Sequence, residues 1–271
     1  MIRDTPTRGE LLHNFVGLTW FTIKRVNSRQ DVPYIFLILV APLLHALGFR
    51  GVLRTPVGKL KVERKDILRW SIYGLLKTRF SYMRMLESTR FRTYLRTTIL
   101  DVGANLGDFT MAASRNARKI ISVEPGPENF AILRSNLRVN SLKQVLPLNI
   151  AAHDSFENLS LSGNGADLRV SGFNGGEHTK GMPLDDVLTQ HEVSYVDLVK
   201  IDVQGHEIRV LQGLSDSLKK HRIGLAIVEV HAQRHVKARD VVYFMQSYGY
   251  QLVATDHIFG RPQLYFECLV E

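Results

Sequence analysis

"ILDVGANLGDFT" (Ile99–Thr110) reads as a buried strand that turns through two glycines into a helix. Thr97 to Val102 is an apolar run of strand type, and from Leu106 to Asn116 the apolar side chains recur at helical spacing. Gly103 and Gly107 flank the turn, and without Cβ atoms they let the backbone approach a ligand closely. The first amides of the helix behind them are unpaired donors. The turn is built to meet a small molecule.

Working outward, strands and helices alternate to the end of the chain. "KIISVEP" predicts a strand, "PENFAILRSNLRVN" a helix and "QVLPLNIAA" a single strand. "NLSLSG" and "DLRVSGFNGG" form an excursion of hairpin type, after which "MPLDDVLTQ" leads to the strand "YVDLVKIDV". "EIRVLQGLSDSLKKH" predicts one helix, "IGLAIVEV" a strand and "VKARDVVYFMQSYGY" the next helix. This pattern argues for an α/β fold whose mostly parallel sheet is covered on both faces. The last strands, "QLVATD" and "PQLYFECLVE", are joined too closely for a crossover and imply an antiparallel pair. In such sheets ligands bind beyond the carboxyl ends of the strands at the switch point, where the first turn lies.

Residues 1–49 form a helical extension. "GELLHNFVGLTWFTIKRV" aligns Leu11, Phe15, Leu18 and Thr22, and "PYIFLILVAPLLHALGF" (Pro33–Phe49) carries no formally charged side chain. The second run falls just short of the roughly 18–20 residues that span a bilayer, and Pro42 interrupts it. Asp4, Glu10 and Asp31 before it do not suit a cleavable signal peptide. Three readings stand: a helix packed on the main domain or at an oligomer contact, an interfacial contact with a membrane, and a true span. In residues 50–96, "GVLRTPVGKLKVER" predicts a hairpin turning around "VGK", followed by helix with loops. Residues 97–271 form the main α/β domain, to which the first turn belongs.

The bulk numbers fit one large globular unit: 271 residues, 45% hydrophobic and 23% charged. The net charge of +9 is concentrated, because Arg50 to Arg96 holds 13 Lys/Arg against 3 Asp/Glu. Such a segment suits an anionic partner: a phosphate group, a membrane surface through residues 33–96, or nucleic acid. The single cysteine, Cys268, excludes an internal disulfide framework and a cysteine-rich zinc site. It fits a reducing compartment, and the expected location is cytoplasmic, with a peripheral place at the membrane left open.

The turn does not match a dinucleotide site, which would want G-x-G-x-x-G, nor a phosphate loop, which would want a lysine after its last glycine. Asp101 and Asp108 would repel a pyrophosphate but suit a cationic ligand. Glu124 ends the second strand, where a carboxylate can accept ribose hydroxyls. A nucleoside without a pyrophosphate, carrying a sulfonium and an amino acid tail, meets these demands. S-adenosylmethionine is such a molecule.

"ILDVGANLGDF", "SVEPGPENFAILRSNL", "MPLDDVL" and "VDLVKIDVQGHEIRVLQGL", in this order, resemble the FkbM family of S-adenosylmethionine-dependent methyltransferases. The likeness covers about Arg54 to His231. It implies a Rossmann-like class I methyltransferase fold, with a seven-stranded, mostly parallel sheet and an antiparallel C-terminal strand. It also implies methyl transfer to a hydroxyl oxygen of a sugar, glycolipid or natural product. In one place the chain departs from the family pattern K-x-D-x-E-G-x-E: Gln204 stands where a glutamate is usual. Gln204 can hydrogen-bond but cannot take a proton as a carboxylate would.

The expected cofactor contacts are Asp101, Gly103, Asn105, Gly107, Glu124, Ala151 and Asp202. Asn105 alternatively caps the helix, and Asp101 alternatively holds loop amides. Asp202 ends an apolar strand and is costly there unless used or paired, so it is the leading candidate to take the hydroxyl proton. Its structural alternatives are an ion pair with Lys200 or a helix cap. His231 and His206 are the other candidate bases, and Glu229 alternates onto the face of His231. These residue types also suit a metal, but no close pair such as H-x-x-x-H supports one, and none is expected. The expected acceptor is a small molecule or glycolipid, neutral or anionic, and the oligomeric state is not legible. Two rivals remain: an enzyme that holds RNA on the basic segment, and a membrane-associated scaffold that keeps the cofactor pocket without turnover.

Overall fold

Strands buried on both faces account for the near-continuous apolar runs of the sequence, and these strands form the central layer. In the computed structural model, residues 29–62, 72–88, 90–163, 169–171, 177–231, 236–258 and 260–268 are described. The amphipathic run from Gly9 to Val26 lies outside them. The chain runs through helix α1 (Val32–Ala46), the hairpin β1 (Gly51–Thr55) and β2 (Gly58–Val62), and helix α2 (72–86). Then come β3 (Thr98–Val102), α3 (Asp108–Ala113), β4 (Lys119–Val123), α4 (Pro127–Val139) and β5 (Val145–Leu148). A small sheet follows, from β6 (Ala151–Ala152), β7 (Glu157–Ser162), β8 (Arg169–Ser171) and β9 (Glu177–Met182). The rest is α5 (Leu184–Gln190), β10 (Val196–Ile201), α6 (Glu207–Gln212), α7 (Ser215–Lys219), β11 (Ile223–Glu229), α8 (Ala238–Ser247), β12 (Tyr250–Ile258) and β13 (Arg261–Cys268).

The large sheet has seven strands in the order β12-β13-β11-β10-β3-β4-β5. β13 alone runs against the others, as the short link between the last two strands requires. The chain moves from β3 to β4 and β5 on one side and later returns to β10 on the other. The switch point is therefore between β3 and β10, at Gly103.

Alternation along each strand sorts the core into two clusters. Ile99, Ile120, Leu198, Leu225, Ile227 and Tyr265 face α2 through Leu75, Leu76 and Phe80. Leu100, Val102, Ile121, Val199 and Val228 pack instead with Leu184, Val210, Leu211 and Val241. α1 and the hairpin join the first cluster through Tyr34, Leu37, Ile38 and Leu60. The described residues before residue 97 thus cover one face of the sheet.

Four local expectations need correction. "QVLPLNIAA" is two strands in two sheets, because the chain leaves the large sheet at Asn149 and pairs Ala151 with Gly181. The expected helix 207–221 breaks at Gly213 and Leu214 into α6 and α7. The helix after the first turn is shorter than its apolar spacing suggested and ends at Ala113. The hairpin turns at Pro56 and Val57, one residue early, with Thr55 Oγ1 donating to the Gly58 carbonyl. Among the described residues no helix is long and apolar enough to cross a membrane.

Candidate active site

Period-two alternation also builds a polar seam. Asp101 follows Ile99 by two residues, Lys200 follows Leu198 and Glu229 follows Ile227, so all three side chains face α2 at the carboxyl ends of their strands. Ser122 and Gln263 extend the seam, since Asp101 pairs with Ser122 and Glu229 with Gln263 in register. Every member is buried. Buried polar groups persist only when partnered, and α2 supplies the partners. Within it, Thr78–Met83 widens into a π-helical stretch, a distortion often found at functional sites.

Lys77, on α2, is the residue that the sequence reading missed. Its ammonium lies 2.8 Å from Asp202 Oδ2 and 2.8 Å from Glu229 Oε2. Tyr82 donates its hydroxyl to the same Glu229 oxygen at 2.9 Å, and Gln263 Nε2 does so at 3.1 Å. Burial alone would lower the pKa of Lys77, but Asp202 and Glu229 more than offset it and hold the ammonium charged. For Asp202, burial alone would raise the pKa; the charges of Lys77 and Lys200 outweigh that and hold the carboxyl well below the usual carboxylate range. The expected Lys200–Asp202 pair is the weaker one at 3.9 Å. Lys200 instead meets Asp101 Oδ1 at 3.0 Å and donates to the Gly103 carbonyl at 2.8 Å. A signal for Lys77 exists in the sequence: polar Lys77, Thr78 and Ser81 interrupt "YGLLKTRFSYM", which is otherwise apolar on every side apart from Arg79.

His231 follows β11 and is buried. Its Nδ1 lies 2.7 Å from Glu207 Oε1, which also accepts the Gly205 amide at 2.9 Å. That partner assigns the proton to Nδ1 and leaves Nε2 an acceptor, to which Arg261 points at 3.3 Å. Nε2 is 3.6 Å from Asp202 Oδ1 and 3.6 Å from Glu229 Oε1. These two carboxylate oxygens are buried and have no hydrogen-bond partner among the described residues. The three atoms lie within 4.8 Å of one another. Their types could ligate a metal, yet the positive charge is already supplied by Lys77 on the outer oxygens and by Arg261, 3.7 Å from Glu229 Oε1. Glu207, at the start of α6, orients the histidine.

The other expected site residues lie around the first turn. Gly103 has φ +74°, and a Cβ there would collide with the Asp202 carbonyl oxygen, because β3 and β10 run side by side to this point. Gly107, at φ +90°, precedes α3 and has Leu133 against its α-carbon. Asn105 is left-handed at φ 50°; its amide donates to Glu124 Oε2 at 2.8 Å, and its buried Oδ1 has no partner among the described residues. Glu124 Oε1 accepts from the Gly126 amide at 3.0 Å and from Asn129 at 3.3 Å. Burial raises the pKa of Glu124, and these donors oppose it. A carboxylate offers about four acceptor positions, so one remains on Oε2.

Asp101 is fully buried, receives Thr110 Oγ1 at 2.6 Å and anchors Lys200, so both of its oxygens serve the seam. Asp108 turns to α2 and accepts from Thr78 at 2.6 Å. Ala151 is buried in β6 beside the end of β5. Gln204 holds a left-handed backbone at φ 56°, with Oε1 buried and without a partner among the described residues. His206 lies apart from the cluster. Its ring faces that of His153 at 5.4 Å, and burial, followed by the charge of His153, lowers its pKa. No hydrogen bond or ion pair among the described residues joins His206 to Asp202 or His231.

Comparison with known proteins bears on this arrangement. The profile of the methyltransferase FkbM domain matches residues 101–252. The hexuronic acid methyltransferase AglP of Haloferax volcanii is 32% identical over 174 residues, 60% of this chain and 70% of its own length. The 31-O-demethyl-FK506 methyltransferase FkbM of Streptomyces tacrolimicus is 27% identical over 204 residues, 62% of this chain and 78% of its own. A crystal structure of methyltransferase FkbM from Methylobacillus flagellatus KT aligns at a TM-score of 0.49 and 15% identity, over 95% of this chain and 60% of that one.

Proposed function

Because the chain belongs to the FkbM family of S-adenosylmethionine-dependent methyltransferases, we propose that it methylates a hydroxyl oxygen on a sugar unit, free or carried by a lipid. The observation that carries this reading is the convergence of Asp202 Oδ1, Glu229 Oε1 and His231 Nε2, buried beside Gly103 at the switch point. Unpartnered acceptors in a buried site are costly unless a ligand hydroxyl meets them. The names of two relatives support the acceptor class: one acts on a hexuronic acid, and the other on a position designated as an oxygen.

The residues around the turn fit the cofactor. Gly103 and Gly107 give the turn its left-handed backbone, Asn105 Oδ1 is a buried acceptor in need of a donor, and Glu124 keeps one acceptor position for a ribose hydroxyl. When bound, S-adenosylmethionine supplies an electrophilic methyl group. Neighbouring hydroxyls of the sugar donate to Asp202 Oδ1 and Glu229 Oε1 and so orient it, and the reacting hydroxyl passes its proton to His231 Nε2 as its oxygen takes the methyl group. Glu207 fixes the ring and steadies the imidazolium that forms. Asp202 is held ionised by Lys77 and is a poor proton acceptor, so the base role moves from Asp202 to His231. Its part is to position. Much of the acceleration comes from holding oxygen and methyl in line.

The test is transfer of labelled methyl from S-adenosylmethionine to uronic acid glycosides, neutral hexose glycosides, glycolipid extract and RNA in parallel. Label is expected in the glycoside or glycolipid fractions. Label confined to RNA would overturn the acceptor class and favour the basic segment as a nucleic-acid site.

A further inference from the structure

We propose that α1 is an in-plane membrane anchor that docks the enzyme on an anionic lipid surface. α1 is apolar apart from His45, yet the described residues cover only one side of it. Tyr34, Leu37 and Ile38 enter the core, and Tyr34 meets the Phe80 ring edge-on at 5.8 Å. On the opposite side Val32, Phe36, Leu39, Leu43 and Leu47 are each 57–73% exposed. Their spacings of four, three, four and four residues place them in one narrow stripe along the helix. Half of the ten exposed large apolar residues among the described residues lie in it, so this is a built surface and not scattered exposure.

Length and charge decide the occupant. A helix of 15 residues is about 22 Å long, short of the roughly 30 Å hydrocarbon core, so it lies in the interface and does not cross. Exposed Arg29 precedes α1 in the chain, and exposed Arg50 and Arg54 follow it at the strand β1, which packs beside the helix, so basic side chains border the apolar stripe before and after it. That combination matches acyl chains beneath anionic headgroups. A second copy of this chain would bring like charges together. The helix is also fixed to the catalytic unit: Arg79 pairs with Asp31 at 2.8 Å, just ahead of α1, two residues beyond Lys77. Docking by this stripe therefore sets the orientation of the active site to the surface, whatever the acceptor.

The experiment is co-sedimentation of the full chain with phosphatidylcholine vesicles, with and without 30 mole per cent phosphatidylglycerol, at about 0.1 and 0.5 M salt. The wild type is expected to bind the anionic vesicles, and to bind them less at high salt. Leu39→Glu/Leu43→Glu should lose about tenfold or more of that binding, with an unchanged melting temperature and unchanged S-adenosylmethionine affinity. Arg50→Glu/Arg54→Glu should lose the preference for anionic vesicles. The proposal is overturned if the wild type does not bind vesicles, or if the leucine variant binds as well as the wild type. A dimer on sizing chromatography that the leucine variant abolishes, without vesicle binding, would assign the stripe to a second copy instead.

Discussion

His231→Gln is expected to lower turnover by about 10²–10⁴, the usual effect of removing a general base, while S-adenosylmethionine affinity changes little. The reason lies in the pairing of Nδ1 with Glu207 at 2.7 Å, which turns Nε2 to the space shared with Asp202 Oδ1 and Glu229 Oε1, each 3.6 Å away, where the proposed acceptor hydroxyl would lie. Asp202→Asn should cost less, about ten- to a hundredfold, as expected for one charged hydrogen bond to the acceptor. His206→Gln should leave turnover close to wild type, since that ring faces His153 and not the cluster. Steady-state kinetics of the three variants rank the candidates. If Asp202→Asn falls further than His231→Gln, the aspartate is the base after all.

Lys77→Met is expected to destabilise the fold by about 3–5 kcal/mol, because it leaves Asp202 and Glu229 buried without their shared cation. In a chain of this size that lowers the melting temperature by on the order of 10 °C. Adding Glu229→Gln should return part of the loss, since removing both partners of a buried pair costs less than removing one. Thermal denaturation of the single and double variants measures both effects. A Lys77→Met protein that melts like the wild type would show that the ammonium does not hold the seam together.

These two residues mark the limit of what the sequence disclosed. The sheet was legible because parallel strands such as "LVKI" and "GLAIVEV" are apolar on both faces, and because the last two strands lacked room for a crossover. The turn at Gly103 was legible because close approach needs glycine there, and the approach proved to be that of the Asp202 backbone. Lys77 was hidden by its neighbourhood. Counted among 13 basic residues, it read as part of a solvated or ligand-facing patch. Only the pairing of α2 with the sheet shows that Lys77 and Arg79 are turned inward to Asp202 and Asp31. Glu207 and His231 stand 24 residues apart on different elements, so no local pattern could join them. The split between β5 and β6 was hidden for a similar reason: the partner that captures Ala151 is the distant Gly181.

Calorimetric titration with S-adenosylmethionine tests the central claim, that the turn at Gly103–Gly107 and Glu124 hold this cofactor. One binding site is expected for the wild type, with no binding of NAD. Glu124→Ala should weaken the affinity by roughly 10- to 150-fold, equivalent to about 1.5–3 kcal/mol for lost hydrogen bonds to a charged acceptor. NAD binding without S-adenosylmethionine binding, or an unchanged affinity in the variant, would contradict the account.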